Sequence, residues 1–236
     1  YSVIMIQVFS SFANDIITYD NNRTVPGWPA LWVKDALLSR KTSFVLHTWS
    51  TPGITEIKKN TRNEDTGIIL SVSEIDWTPP ENETDLIMIS TLKQEFNLSV
   101  LSDLRNTVCI DIQGFLRWDH GEKKRFDCDT IKTNGTIYIK ATREEFSYIN
   151  NHTNSRFIWI ITNGWEDIEV LLWADSYHLP IQSWKFIDTI GAWDTFFSIF
   201  CACILDKIHL KESVQYAAAF TYKFLEAKNT QYSLQP

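Results

Sequence analysis

Short apolar runs bounded by turn residues recur along the chain and predict β-strands. They span residues 3–8, 43–47, 68–72, 86–89, 107–112, 136–139, 157–161 and 170–173. Segments with apolar residues at helical spacing predict helices at 29–38, 98–104, 143–150, 196–206 and 212–227. Because strands alternate with helices, and because 107–112 and 157–161 are apolar almost throughout, the pattern predicts a three-layer α/β fold with a mostly parallel central sheet.

Residues 55–75 depart from this pattern, because their apolar and polar positions alternate as in an antiparallel pair of strands. We interpret them as part of a small, reduced β lid around residues 48–78. With 236 residues the chain is long enough for one substantial core, and no linker divides it. The sequence therefore predicts a single domain over residues 1–236.

The formal net charge of −7 argues against a broad phosphate-backbone footprint, so we expect no nucleic-acid partner. No apolar run reaches the roughly 18 residues of a membrane-spanning helix, so we expect no membrane partner either. The four cysteines lack the spacing of metal ligands and are predicted to be buried, reduced thiols. Together these features favour a cytoplasmic protein.

Residues 188–196 read D-T-I-G-A-W-D-T-F and open a long apolar helix. A helix N-terminus offers N–H groups and the positive end of the helix dipole, so it can hold a phosphoryl group. A carboxylate in the first turn, here Asp194, can accept a proton from an attacking hydroxyl. Taken alone, Asp194 is explained more often as a helix-capping residue.

This segment resembles the signature of the ribokinase (PfkB-type) carbohydrate kinase family, D-T-x-G-A-G-D-[TS]-F, at every position except Trp193. The resemblance implies that Asp194 is the catalytic base. It also implies that the backbone amides of Gly191, Ala192 and Trp193 form an anion hole. The fold that it implies is a three-layer ribokinase-like sandwich with a mostly parallel sheet and a small β lid.

Two further segments resemble the parts of that family that bind the phosphoryl acceptor. Residues 10–15, S-S-F-A-N-D, are similar to the turn after the first strand, whose aspartate binds substrate hydroxyls; this implies the same role for Asp15. Residues 25–30, V-P-G-W-P-A, stand where the family has a Gly-Gly pair, which implies that Gly27 lines the substrate site. The acceptor implied is a small sugar or polyol.

Residues 111–117, D-I-Q-G-F-L-R, follow a predicted strand and resemble the archaeal and plant inositol-kinase-like branch of the family. The resemblance implies that Gln113 and Arg117 belong to the substrate site. From its residue type alone, Arg117 is explained equally well by a surface salt bridge. An inositol-like acceptor is suggested by this segment only.

The donor side of the site is implied by two later segments. Residues 140–145, K-A-T-R-E-E, resemble the N-x-x-E region, with Glu144 as the residue that places Mg²⁺ through water. The turn that lines the nucleotide site in the family is matched by Thr162, Asn163 and Gly164. The resemblance thus implies ATP as donor, with ADP as an open alternative, and Mg²⁺ as cofactor.

Trp28 and Trp193 each occupy a position where the family has glycine. Glycine tolerates unusual backbone angles and lets a ligand approach the main chain, and tryptophan does neither. Two functions therefore stay open: an ATP-dependent carbohydrate or polyol kinase, or a catalytically impaired homologue that binds ligands or serves in assembly. A homodimer is compatible with both.

Overall fold

An eight-stranded sheet forms the centre of the molecule in the computed structural model. The structure describes residues 4–18, 23–27, 29–48, 53–59, 65–117, 122–153, 156–164, 166–173, 175–181 and 189–233. The strands of the central sheet are β1 (Ile6–Ser10), β4 (Phe44–His47), β7 (Leu86–Ser90), β8 (Thr107–Asp111), β10 (Ile137–Thr142), β12 (Phe157–Asn163), β13 (Asp167–Leu172) and β14 (Asp175–Pro180). Their order across the sheet is β14-β13-β12-β10-β8-β7-β1-β4.

Six neighbouring strands of this sheet pair in parallel: β4, β1, β7, β8, β10 and β12. At the other edge, β13 pairs antiparallel with β12 and with β14. A parallel sheet needs apolar side chains on both faces because both faces are covered. In β1, Ile6 and Val8 pack in one apolar cluster, and Phe9 packs in the other. The prediction of a mostly parallel sheet is therefore confirmed.

Three long helices cover one face of this sheet: α1 (Ala30–Arg40), α4 (Ala192–Leu205) and α5 (Leu210–Ser233). α4 packs against β1 and β7 and also against α1 and α5, which explains why it is apolar on nearly all sides. It is preceded by Gly191, whose φ of 80° lies in the left-handed region. α4 is followed by Lys207 with a φ of 59°, which turns the chain into α5.

The opposite face is covered by loops and single helical turns. α2 (Gln113–Leu116) and α3 (Arg143–Phe146) have four residues each, and residues Leu98–Leu101 form a 3₁₀ turn. The sequence pattern predicted longer helices at 98–104 and 143–150. Both are shorter because the chain turns directly into the next loop or into the two-residue pair of β9 (Phe126–Asp127) and β11 (Ile149–Asn150).

A separate four-stranded sheet is formed by β2 (Ala13–Ile17), β3 (Arg23–Gly27), β5 (Gly53–Lys59) and β6 (Asp65–Ser71). The hairpin of β5 and β6 corresponds to the predicted antiparallel segment. The sequence pattern missed β2 and β3, which the structure pairs with this hairpin through a parallel contact between β2 and β5. Over the residues that the structure describes, every helix is too short or too polar to span a bilayer.

A buried ion pair joins two central strands at the carboxyl end of the sheet. Lys140 of β10 lies opposite Asp111 of β8, and its Nζ is 2.9 Å from Asp111 Oδ2. The lysine and aspartate side chains are 1% and 3% exposed, so water screens neither charge. Burial lowers the pKa of Lys140, but Asp111 and other carboxylates nearby outweigh it and raise that pKa above its ordinary value. Lys140 is therefore charged at neutral pH.

Breaking this pair from one side should destabilise the fold strongly. We expect Lys140→Met to lower the free energy of unfolding by about 3–5 kcal/mol, because Asp111 keeps a buried charge and loses its partner. The double variant Lys140→Met/Asp111→Leu should recover most of that loss, because it removes both buried charges. Denaturant unfolding measures both variants, with the exposed Lys132→Met as control. An unchanged midpoint in Lys140→Met would contradict the account.

Candidate functional site

Polar side chains gather where the parallel strands end, as expected for an open α/β sheet. β1, β7 and β8 end at Ser10, Ser90 and Asp111, and each of these residues is buried. The N-terminus of α4 lies over the same edge, because Ser90 Oγ is 3.5 Å from Asp194 Oδ1. The chain therefore brings the predicted base to the carboxyl end of the sheet.

Asp194 lies in the first turn of α4 and is held among other charges. Burial, together with the negative charge of Asp111, raises the pKa of Asp194 from 3.8 to about 6. Lys140 and Arg117 act in the opposite direction and limit the rise. A carboxyl group with this pKa is ionised at neutral pH and is still basic enough to accept a proton.

Arg117 is the second cation of the site, at the end of α2. Burial lowers its pKa, and this effect is opposed by four carboxylates around it: Glu145, Asp111, Asp194 and Glu95. The terminal nitrogens of Arg117 lie 2.6 and 2.7 Å from the side-chain oxygen of Gln113 when that amide is oriented as an acceptor. Gln113, predicted to contact the substrate, thus orients Arg117 in this structure. Arg117 thus lies among the carboxylates at this edge of the sheet, and its part in substrate binding stays a prediction.

The structure separates two neighbouring glutamates of α3. Glu144, the predicted Mg²⁺ residue, has a side chain that is 71% exposed and forms an ion pair with Lys123 at 2.5 Å. Glu145 is buried and lies near enough to Arg117 and Lys140 to affect both their pKa values. Its carboxylate also accepts a hydrogen bond from the Thr142 amide, and the Thr142 hydroxyl accepts one from the Glu145 amide.

This capping box is the signal that the sequence analysis missed. The pattern T-x-x-E at residues 142–145 predicts that the glutamate turns back toward the start of its helix, and therefore toward the sheet. Glu145 then faces the site, and Glu144, one residue earlier, points to solvent. Lys140 was also overlooked, because a lysine in a strand gives no sign of burial until its partner Asp111 is known.

Glu95 adds a further buried carboxyl group beside the ends of β1 and β7. Its Oε2 accepts hydrogen bonds from Ser11 Oγ at 2.5 Å, from the Leu92 amide at 2.7 Å and from the Lys93 amide at 3.3 Å. Within the part of the chain that the structure describes, its Oε1 is buried without a hydrogen-bond partner. Burial raises the pKa of Glu95 to about 7 despite these donors.

The predicted anion hole lies at the start of α4. Gly191 precedes the helix, Ala192 donates its amide to the Thr189 carbonyl at 3.1 Å, and Trp193 is already helical. The Trp193 ring packs edge-on against Phe196, with ring centroids 5.9 Å apart, and against the apolar cluster beneath the helices. The glycine that the conformation requires is thus Gly191, and Trp193 has no unusual backbone angle.

The residues predicted to bind the acceptor lie in the four-stranded sheet. Asp15 is buried in β2, beside Thr55 of β5, rather than in a turn after β1. Gly27 ends β3 and pairs with Ala13. Ala30, three residues after Gly27, donates its backbone amide hydrogen to the Ser11 carbonyl at 3.0 Å. Because Ser11 directly follows β1, this end of β3 lies close to β1. Trp28 lies outside the described residues.

The residues predicted to line the nucleotide site are at the end of β12. Thr162 is buried, and the side-chain Nδ2 of Asn163 donates to the carboxylates of Glu166 and Asp167 at 2.8 and 3.2 Å. Gly164 has a φ of 55°, and no atom of the described residues lies within 4 Å of where a Cβ would be.

A cavity of about 210 Å³ lies near the same edge of the sheet. It is bounded by the end of β14, including Leu179 and Pro180, and by one face of α5, including Val214 and Ala218. Pro180 pairs with Asp167, which in turn pairs with Asn163, so the cavity lies two strands away from the predicted nucleotide turn. No group of three or more potential metal ligands occurs among the residues whose placement is described.

No protein-family model and no curated protein matches the sequence. Solved structures match it over nearly its whole length. A pyrophosphate-dependent kinase in the ribokinase family, complexed with a pyrophosphate analogue and myo-inositol, is 16% identical, with a TM-score of 0.66 over 94% of this chain and 95% of that chain.

Two further kinases, a ribokinase and a nucleoside kinase, have similar TM-scores. Ribokinase of Arabidopsis thaliana, complexed with ribose and ATP, is 11% identical, with a TM-score of 0.68 over 95% of this chain and 93% of that one. The nucleoside kinase of Methanocaldococcus jannaschii, an archaeal member of the ribokinase family, is 16% identical, with a TM-score of 0.67 over 97% of this chain and 94% of that one. At such identities the likeness concerns the fold. The chain has the three-layer α/β fold of ribokinase, as its sequence motifs implied.

Proposed function

We propose that the protein is a phosphotransferase that moves the γ-phosphoryl group of ATP to a hydroxyl group of a sugar or polyol. The observation that carries the proposal is Asp194, a carboxyl group with a raised pKa in the first turn of α4, beside Lys140 and Arg117. A base and a helix N-terminus at one place are what phosphoryl transfer to a hydroxyl requires. The solved structures of the same fold include sugar, polyol and nucleoside kinases.

In this mechanism Asp194 takes the proton of the acceptor hydroxyl, whose oxygen attacks the γ-phosphorus as the bond to the leaving ADP breaks. Negative charge on the transferred group is met by the dipole of α4 and by its first-turn amides after Ala192, because the Ala192 amide already donates to the Thr189 carbonyl. Lys140 and Arg117 hold their charges beside Asp194 and keep it ionised at neutral pH. Gln113 keeps Arg117 in place through its side-chain oxygen.

The acceptor is proposed to lie between the four-stranded sheet and the ends of β1 and β7. Asp15 and Thr55, both buried on the same side of neighbouring strands, present oxygen atoms to hydroxyl groups there. The Gly27 end of β3 belongs to a strand that contacts α1, and it is proposed to close the site on that side. The carboxyl groups of Asp15 and Glu95 favour a polyhydroxylated acceptor, because each can exchange hydrogen bonds with hydroxyl groups.

The donor is proposed to be a nucleotide that runs from the α4 N-terminus toward the turn of Thr162, Asn163 and Gly164. The cavity between β14 and α5 is lined mainly by apolar side chains, which suits a planar base better than a phosphate group. Since a solved structure of this fold is a pyrophosphate-dependent kinase, pyrophosphate is the alternative donor to test.

Mg²⁺ fits the donor set at this site if phosphate and water supply most of its ligands. Mg²⁺ usually takes only one or two carboxylates from a protein beside substrate phosphates. Glu145 is the buried carboxylate of α3 that would approach it, in place of the exposed Glu144. When bound, the ion neutralises charge on the phosphate oxygens.

The first test is Mg²⁺-dependent ADP release from ATP with a panel of polyols, sugars and nucleosides. We expect turnover with a polyhydroxylated acceptor and its loss by a factor of about 10³ or more in Asp194→Asn, because the general base is removed. Trp193→Gly should bring no gain in rate, because Trp193 is helical and its ring packs on Phe196. Parallel assays with pyrophosphate identify the donor.

The panel also decides between the two functions that the sequence left open. If the unaltered chain were inactive and Trp193→Gly gained activity, the protein would be a catalytically impaired homologue with a closed anion hole. Equal turnover in Asp194→Asn and the unaltered chain would rule out the proposed role of Asp194.

The pH dependence of turnover should report the ionisation of Asp194. Its pKa is raised in the folded protein, so the basic form predominates only above about pH 6. We therefore expect kcat/KM, which reports ionisation in the free enzyme, to fall tenfold for each pH unit below about 6 and to be level between 7 and 8. A steady-state profile between pH 4.5 and 8 measures this; a level profile down to pH 4.5 would contradict the assignment.

A further inference from the structure

The backbone that precedes α4 is supported by side chains from two other helices. Residues 189–191 form a turn outside the central sheet, so sheet hydrogen bonds do not fix them. Trp32 of α1 and Lys228 of α5 both contact this turn. We refer to this pair as the turn clasp.

Trp32 packs directly on Gly191. A Cβ atom at Gly191 would lie only 2.4 Å from two atoms of the indole ring, so the ring occupies the space that any other residue would fill. Gly191 also has a φ of 80°, and the ring covers the side of the glycine that faces α1. Within the described chain the indole N–H is buried without an acceptor, so packing, rather than a hydrogen bond of its own, fixes the ring.

Lys228 contacts both the turn before α4 and the Trp32 ring. Its Nζ donates a hydrogen bond to the Ile190 carbonyl at 2.9 Å and lies 4.3 Å from the centre of the Trp32 ring. Phe224, one turn earlier in α5, meets the same ring edge-on with centroids 6.1 Å apart. The ammonium group therefore lies beside the peptide bond between Ile190 and Gly191. There it adds positive charge to the N-terminus of α4.

We propose that Trp32 and Lys228 are positioning residues that hold the anion-binding turn before α4 in its working geometry. The inference rests on the proposed function and adds to it the two residues, on two other helices, that set the turn. An anion hole depends on the placement of its amides to a fraction of an ångström, and a misplacement of about 1 Å can cost roughly a hundredfold in rate. Since the turn is outside the sheet, the clasp is what supplies that precision.

The test measures anion binding separately from turnover. Inorganic pyrophosphate is titrated into the full chain by calorimetry, and kcat and the acceptor KM are measured alongside. In Lys228→Met we expect the pyrophosphate Kd to rise and kcat to fall, each by about tenfold or more, with the acceptor KM unchanged within about twofold. Lys228→Arg should restore both, because it keeps the charge and a donor.

Lys223→Met is the matched control, since Lys223 lies exposed on the same helix and should tolerate the change. Trp32→Phe, which keeps an aromatic ring, should show a smaller loss than Lys228→Met and checks the clasp from the other helix. Unchanged pyrophosphate binding and kcat in Lys228→Met would overturn the clasp and leave the proposed function intact. An unaltered chain that binds no pyrophosphate and shows no turnover would overturn both.

Discussion

Compensation of buried charge at the carboxyl end of the central sheet is the constraint on which the rest of this site depends. Asp111, Glu145, Asp194 and Glu95 all lie near enough to Arg117 to affect its pKa, and Lys140 is the other buried cation among them. Unpaired, any of these groups would cost several kcal/mol to bury. Together they are tolerated, and the balance leaves Asp194 with a pKa near 6.

The contacts that build the fold also place the charged groups of the site. Asp111 and Lys140 lie opposite each other on neighbouring strands, so the parallel register that builds the sheet also builds the ion pair. α4 brings Asp194 to this pair because its apolar sides are buried against β1, β7, α1 and α5. Gly191 adopts the left-handed conformation that precedes the helix, and the Trp32 ring packs on Gly191. Each of these contacts places backbone amides and a carboxylate at one edge of the sheet.

Much of the fold could be predicted from the sequence, because strands buried on both faces leave an apolar signal. β8 and β12 were found for that reason, and the positions of α1, α4 and α5 followed from helical spacing. β2 and β3 were missed because they carry polar residues and pair only with each other and with β5. The predicted helix at 143–150 was too long because local propensity does not show where a turn into β11 begins.

The site was predicted in part for similar reasons. Motif likeness identified Asp194 and the start of α4, where order along the chain carries the information. Which of Glu144 and Glu145 faces inward depends on the cap at Thr142, and the contact of Gln113 with Arg117 depends on one turn of α2. Such pairings arise from three-dimensional placement. Trp193, a concern from its residue type, proves ordinary once its helical conformation is known.

The most direct test of the central claim is the pKa of Asp194 itself. Carboxyl carbons of aspartate labelled with ¹³C can be followed by NMR against pH, with the Asp194→Asn variant identifying the resonance. The account predicts a titration midpoint about two units above the ordinary value of 3.8, at about 6. A midpoint at or below 4 would contradict it, because Asp194 would then be an ordinary capping carboxylate and a poor base.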